Sequence, residues 1–114
     1  MVFGSSVNTC MRLKNPFKAE TRELFIWNYD CWICDMNDWD SGHHILGRIS
    51  SSPLNFCPIH NQKCHLGNGK LATFEVQKKL LKKTYEYLKK SGYDLTCKDK
   101  SFIAKNKKYY KDII

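Results

Sequence analysis

The spacing of cysteine and histidine in the middle of the chain restricts its fold more than any other feature. Cys31-Trp32-Ile33-Cys34 is a C-x2-C pair, and His60 and Cys64 form a second pair separated by three residues. Two residues between thiols make a tight knuckle that aims both sulfurs at one point, and a three-residue spacer sets His60 and Cys64 one helical turn apart. Twenty-five residues lie between the pairs, enough for a hairpin to fold out and back. Three cysteines with one histidine make a common closed structural zinc site. In a chain of 114 residues with a thin core, such a site would contribute much of the folding free energy, on the order of 10 kcal/mol. Cys57 competes for a place in it, because Cys57 and His60 also enclose two residues.

Six cysteines could instead form three disulfides in a secreted protein. Met1 to Lys14 holds no continuous apolar run of the kind a secretory signal needs, so a cytoplasmic location is expected. There thiols stay reduced, and clustered cysteine and histidine act as metal ligands. A redox role for the C-x2-C is disfavoured, since no strand-to-helix βαβ pattern surrounds it. Cys10 and Cys97, far out on the flanks, are expected to be part-buried free thiols. No apolar stretch reaches the roughly 18 residues that a membrane span needs.

The net charge of +8 resides entirely in the C-terminal part. From Lys70 onward there are thirteen lysines and no arginine against five acids, whereas the first 69 residues balance six bases with six acids. Such a segment suits a polyanion, with salt-sensitive and sequence-indifferent contacts to phosphates. A solvated helix face accounts for the lysines equally well from charge alone.

The chain divides into an arm (residues 1–23), a metal-binding core (24–69) and a basic helical segment of the same domain (70–114). Glu23 to Tyr29 is aromatic and β-branched enough for a short strand or an ordered lead-in. Gly42 to Ile49 is expected as a strand, Ser50 to Pro53 as a loop, and Leu54-Asn55-Phe56 as a return in extended form, together a β-hairpin. A short helix is expected around Ile59 to Leu66, ended by Gly67 and Gly69. Thr73 to Ser91 carries the clearest helical stripe, with Phe74, Leu81, Tyr85 (or Thr84) and Leu88 widened by Leu80 and Tyr87 and a lapse at Gln77. Thr73 suits its N-cap and Gly92 its C-terminal stop. A weaker stripe predicts a second helix over Asp99 to Lys111. The fold class is therefore α+β.

Within the zinc frame lie Gly42-His43-His44-Ile45-Leu46-Gly47-Arg48, then Asn55, then Cys64-His65. In this order and context the chain resembles the HNH endonucleases, the ββα-metal nucleases, and most of all their zinc-containing phage and bacterial members. The resemblance covers about Tyr29 to Gly69. It implies a zinc-stapled ββα-metal core of β-hairpin plus helix, and a DNA phosphodiester hydrolase. His43 and His65 would be ligands of a catalytic Mg²⁺ or Mn²⁺, His44 the general base, and Asn55 the amide that ties the hairpin loop. Arg48 is the candidate to hold the scissile phosphate, since a guanidinium matches two phosphate oxygens. Adjacent side chains on a strand face opposite ways, so His43 and His44 cannot easily share one role.

The second zinc pair of the family is usually C-x2-C, whereas here it is His60 and Cys64. Gly69 stands where many members carry a further histidine, which leaves Asp40 or Asn68 as a third ligand. DNA is the expected partner, met through the lysine-rich helices, and host-cell cytoplasm the expected location if the chain is phage-encoded. Arginine is the usual reader of guanine edges, and its absence from the tail argues against strong sequence specificity. The competing reading is a non-catalytic zinc-stabilised DNA-binding module, which would share the zinc site and the lysines.

Overall fold

In a computed structural model, which describes residue 17, residues 19–66 and residues 69–113, the expected hairpin is present but short. Strand β1 (Ser41–His44) pairs antiparallel with β2 (Phe56–Ile59), setting His43 opposite Cys57 and His44 opposite Phe56. The strand expected over Gly42–Ile49 stops at His44. Gly47 adopts φ 85° and donates its N–H back to His44 O at 3.1 Å, which turns the chain away from the sheet. Ser50 to Ser52 remains loop, and Pro53–Asn55 forms a 3₁₀ turn rather than extended chain, capped by Ser52 Oγ accepting from Leu54 N at 3.2 Å.

Helix α1 (Ala19–Glu23) runs into successive turns, so Glu23 to Tyr29 is an ordered lead-in and not a strand. Its backbone bonds are local, from Phe25 N to Arg22 O at 3.0 Å and from Asn28 N to Phe25 O at 3.0 Å. Those turns drive Phe25 into the core, where its ring stacks on Phe56 at 4.4 Å and Tyr87 at 5.1 Å. Cys10 lies outside the described residues, and so does Gly67.

Helix α2 (Phe74–Lys90) occupies the stretch its stripe predicts. Thr73 Oγ1 accepts from Val76 N at 3.4 Å, and Gly92 adopts φ 83° just past the end. Leu80, Leu81, Thr84 and Leu88 are buried along one side. The lapse at Gln77 is filled by polar bonds: its side chain accepts from Tyr109 OH at 3.0 Å and donates to Ile45 O at 3.4 Å. Thr84 joins three elements, accepting from Trp32 Nε1 at 3.0 Å and donating to Phe56 O at 2.8 Å. Among the described residues no helix is long and apolar enough to cross a membrane.

The helix expected over Asp99 to Lys111 is divided into α3 (Cys97–Lys105) and α4 (Lys107–Tyr110), because Asn106 leaves helical geometry at φ −126° and ψ 37°. Its start was hidden in a capping box, Thr96-x-x-Asp99, in which side chain and backbone bond reciprocally. Cys97, in the first turn, is exposed rather than part buried. Asp99 does more than cap. It is 1% exposed, with Oδ1 accepting from Ser52 Oγ at 2.6 Å and Oδ2 from Tyr93 OH at 2.6 Å and Thr96 N at 2.9 Å. Burial pushes this carboxyl up, but the bonds from Ser52, Tyr93 and Thr96 outweigh it and hold the group below the usual range. Replacing Asp99 with Ala will therefore cost about 3 kcal/mol or more, because buried Ser52 and half-buried Tyr93, along with the Thr96 backbone, lose a charged acceptor. Urea unfolding of the two proteins measures this, and a loss within about 0.5 kcal/mol would deny Asp99 that role.

Candidate metal centre and the histidines beside it

The knuckle is built by residues 30–37. Asp30 and Asn37 form an isolated antiparallel bridge, Cys31 N donates to Met36 O at 3.0 Å, and Asp35 N donates to Cys31 O at 3.1 Å. Closing it places Asp35 at φ 61°, a left-handed conformation that aspartate tolerates better than most residues. Ile33 N points at Cys31 Sγ at 3.3 Å, and Trp32 N ties the knuckle to β2 through Pro58 O at 2.9 Å. The second pair comes from the end of β2. His60 leads into a π-helical turn (Asn61–His65), where the expectation was an ordinary short helix. His65 N reaches back to His60 O at 3.1 Å and Leu66 N to Asn61 O at 3.0 Å. Asp40 Oδ1 caps this turn by accepting from Asn61 N at 2.9 Å.

Cys31, Cys34, His60 and Cys64 come together as the spacing predicts. Their ligand atoms all lie within 4.8 Å of one another, and the four residues could hold a metal ion. Cys31 Sγ and Cys64 Sγ are 3.7 Å apart, Cys34 Sγ and His60 Nδ1 3.4 Å, and Cys64 Sγ and His60 Nδ1 3.7 Å. A tetrahedron with zinc bonds of about 2.3 Å to sulfur and about 2.0 Å to nitrogen has edges of about 3.7 Å and about 3.5 Å. These three edges are close to those values. His60 is oriented for the task, because its Nε2 lies 2.7 Å from Asn37 O. A carbonyl can only accept, so Nε2 carries the proton and Nδ1 presents its lone pair to the sulfurs. Hydrogen bonding from the Met36 backbone draws the Cys34 thiol down to about 7, whereas burial and the facing Cys34 and Cys31 push Cys64 up to about 12. Cys57 is not part of the cluster. It is fully buried on β2, with Sγ 3.6 Å from Pro58 O, and burial raises its thiol well above the ordinary value.

Next to Cys64 the chain turns the other way. The rings of His65 and His43 face each other with centroids 4.8 Å apart. His43 Nε2 is buried and makes no hydrogen bond among the described residues. Burial, followed by the neighbouring His65 and His44, lowers its pKa to about 4. A neutral imidazole with an unengaged buried nitrogen beside a second imidazole has the chemistry to share a divalent cation. His44 points to the opposite face of β1, as strand alternation requires. It is 7% exposed and stacked beneath the Phe17 ring, centroids 4.2 Å apart. Gly42 precedes them because a Cβ there would overlap the Phe56 ring.

Asn55 is fully buried and ties the loop between the strands. Its Nδ2 donates to Gly47 O and Ser50 O, each at 3.0 Å, and its Oδ1 accepts from Leu46 N at 2.9 Å. Arg48 is exposed on that same loop. Of the two candidates for a third ligand, Asp40 is engaged at the π-turn and forms no ligand group with His43 and His65, while Asn68 lies outside the described residues. Sequence reasoning missed Asn37, whose contribution is a backbone carbonyl that no residue type signals, and Phe17, which covers His44. No protein-family model matches the chain, and searches of curated proteins and of solved structures find no significant match.

Proposed function

We propose that this chain is a metal-dependent HNH endonuclease that hydrolyses DNA, with a structural zinc in the Cys31, Cys34, His60, Cys64 cluster and a ββα-metal core beside it. The observation that carries this reading is the contacting pair His43 and His65, next in sequence to a cluster ligand but outside the four-residue group. His43 and His65 would hold Mg²⁺ or Mn²⁺, which would supply charge stabilisation at the scissile phosphate. His44 takes the proton from the attacking water, and its stack on Phe17 fixes the plane of the ring. Asn55 sets the shape of the loop that follows His44, and Arg48 on that loop offers two N–H groups to the phosphate. The excess lysines of the C-terminal segment supply sequence-indifferent attraction to the DNA backbone.

One observation favours the second reading, a non-catalytic zinc-stabilised DNA-binding module. His44 is largely covered by Phe17, as a structural histidine would be. Zinc-loaded protein incubated with supercoiled plasmid separates the two. Nicking that needs added Mg²⁺ or Mn²⁺ and disappears in His44→Ala is the expected result. Intact plasmid in every lane, with a gel shift still present, would leave the binding module standing.

A further inference from the structure

A cleft of about 590 Å³ opens between the loop after β1 and the outer face of α3, and Ser50, Ser51, Lys98, Ser101, Lys105 and Asn106 line it. Lys98, Ser101 and Lys105 follow one another at i, i+3 and i+7, so a single helix face presents them together. Two neighbouring clefts differ in charge. The one under α1 sets Glu23 and Asp38 against Arg22, and the one on the far side of Lys98 sets Glu20 and Asp99 against Lys98. No carboxylate lines the cleft between loop and α3.

Other lysines of the segment are already matched by acids: Lys78 pairs with Asp112 at 2.7 Å and Lys83 with Asp35 at 3.6 Å. Among the described residues neither Lys98 nor Lys105 has a carboxylate within ion-pair distance. Lys98 Nζ instead donates to Ser51 Oγ at 3.0 Å, which holds the ammonium over the loop. Ser50 Oγ accepts from Ser52 N at 3.1 Å, leaving its own O–H to donate outward. Ammonium and hydroxyl donors without a competing carboxylate form a surface that recognises phosphodiester oxygens.

We propose that this cleft is the binding site for the phosphodiester backbone of duplex DNA to one side of the cut. Lys98 and Lys105 lie about 10 Å apart along the helix. That separation lets the two ammoniums meet different phosphates of one strand. The loop that carries Arg48 is the other wall of the cleft, so one strand runs from the loop onto α3 without leaving the protein. The orientation rests on the nuclease reading. The cleft itself narrows the contribution of thirteen lysines to two.

The test measures binding of a short duplex DNA by the zinc-loaded protein across a range of salt, with Ca²⁺ in place of Mg²⁺ so that no strand is cut. Lys98→Ala/Lys105→Ala is expected to reduce the slope of log affinity against log salt by about 2. Lys98→Arg/Lys105→Arg is expected to restore it. The charge-matched pair Lys79→Ala/Lys82→Ala, exposed on α2 and away from the cleft, is expected to leave it nearly unchanged. Equal losses in both alanine pairs, or none in the first, would overturn the cleft. Tighter binding of an RNA duplex with the same loss would overturn its assignment to DNA. Plasmid nicking by the same proteins in Mg²⁺ is read separately. A slope shift without any nicking keeps the cleft and removes the nuclease, whereas nicking with an unchanged slope does the reverse.

Discussion

Cys64→Ser will leave a chain that no longer unfolds cooperatively. The side chain is 4% exposed and its sulfur is within 3.7 Å of both Cys31 Sγ and His60 Nδ1. Binding of a structural zinc is worth roughly 10 kcal/mol or more, and a small domain has only about 5–15 kcal/mol of stability in all. If the cluster holds zinc, loss of one of its four ligands therefore removes most of what holds the fold. A strong chelator applied to the wild type should have the same effect. Urea melts followed by far-UV circular dichroism, alongside a colorimetric zinc assay, measure both. Cys57→Ser is the control, since that thiol is equally buried but outside the cluster, and it should keep its zinc. A Cys64→Ser protein with wild-type stability would remove the structural-metal reading. The pH dependence has a definite sign. Each thiol must lose a proton to bind metal, so apparent zinc affinity falls as pH falls. Cys64, pushed up to about 12 by burial and its neighbouring sulfurs, competes hardest for its proton.

On the nuclease reading proposed above, His65→Ala, one residue further on, will do the opposite: it will fold, retain metal in the four-residue cluster and fail to cut. The His65 ring lies against His43 and is outside the four-residue ligand group. If His43 and His65 hold the proposed catalytic cation, removing one of them should lower the rate of plasmid nicking on the order of 10²-fold or more. Raising Mg²⁺ or Mn²⁺ should recover part of the loss, because weaker cation binding is then offset by concentration. Zinc stoichiometry and the urea midpoint of the same sample are the accompanying readouts. Full nicking by His65→Ala, or loss of zinc from it, would place the residue outside a separate cation site.

The contrast between Cys64 and His65 shows what was legible in the sequence and what was not. The four converging ligands followed from spacing, because short spacers between ligating residues leave few ways to point. Helix α2 also followed, since its stripe, its threonine cap and its terminal glycine agree. The π-turn did not, because one residue added to a helical turn leaves no mark on composition. Nor did the early end of β1, which depends on the backbone of Gly47 rather than on the apolar pattern of Ile45 and Leu46. Residue type left Glu23 to Tyr29 open between a short strand and an ordered lead-in, and local backbone bonds and the burial of Phe25 decide for the lead-in. The Thr96-x-x-Asp99 box was visible to a reader looking for caps. Its reach to Ser52 was not, because forty-seven residues separate the two partners.

Thr84 has a consequence for anyone wishing to transplant the four-ligand centre into another scaffold. Residues 24–69 look like a portable cassette, bounded by ligands and closed by a hairpin. The hydroxyl of Thr84 nevertheless takes the indole N–H of the knuckle and gives its own proton to a carbonyl of β2, so α2 is the clasp between the two halves of the cassette. A graft cut at residue 70 would carry all four ligands and leave the clasp behind.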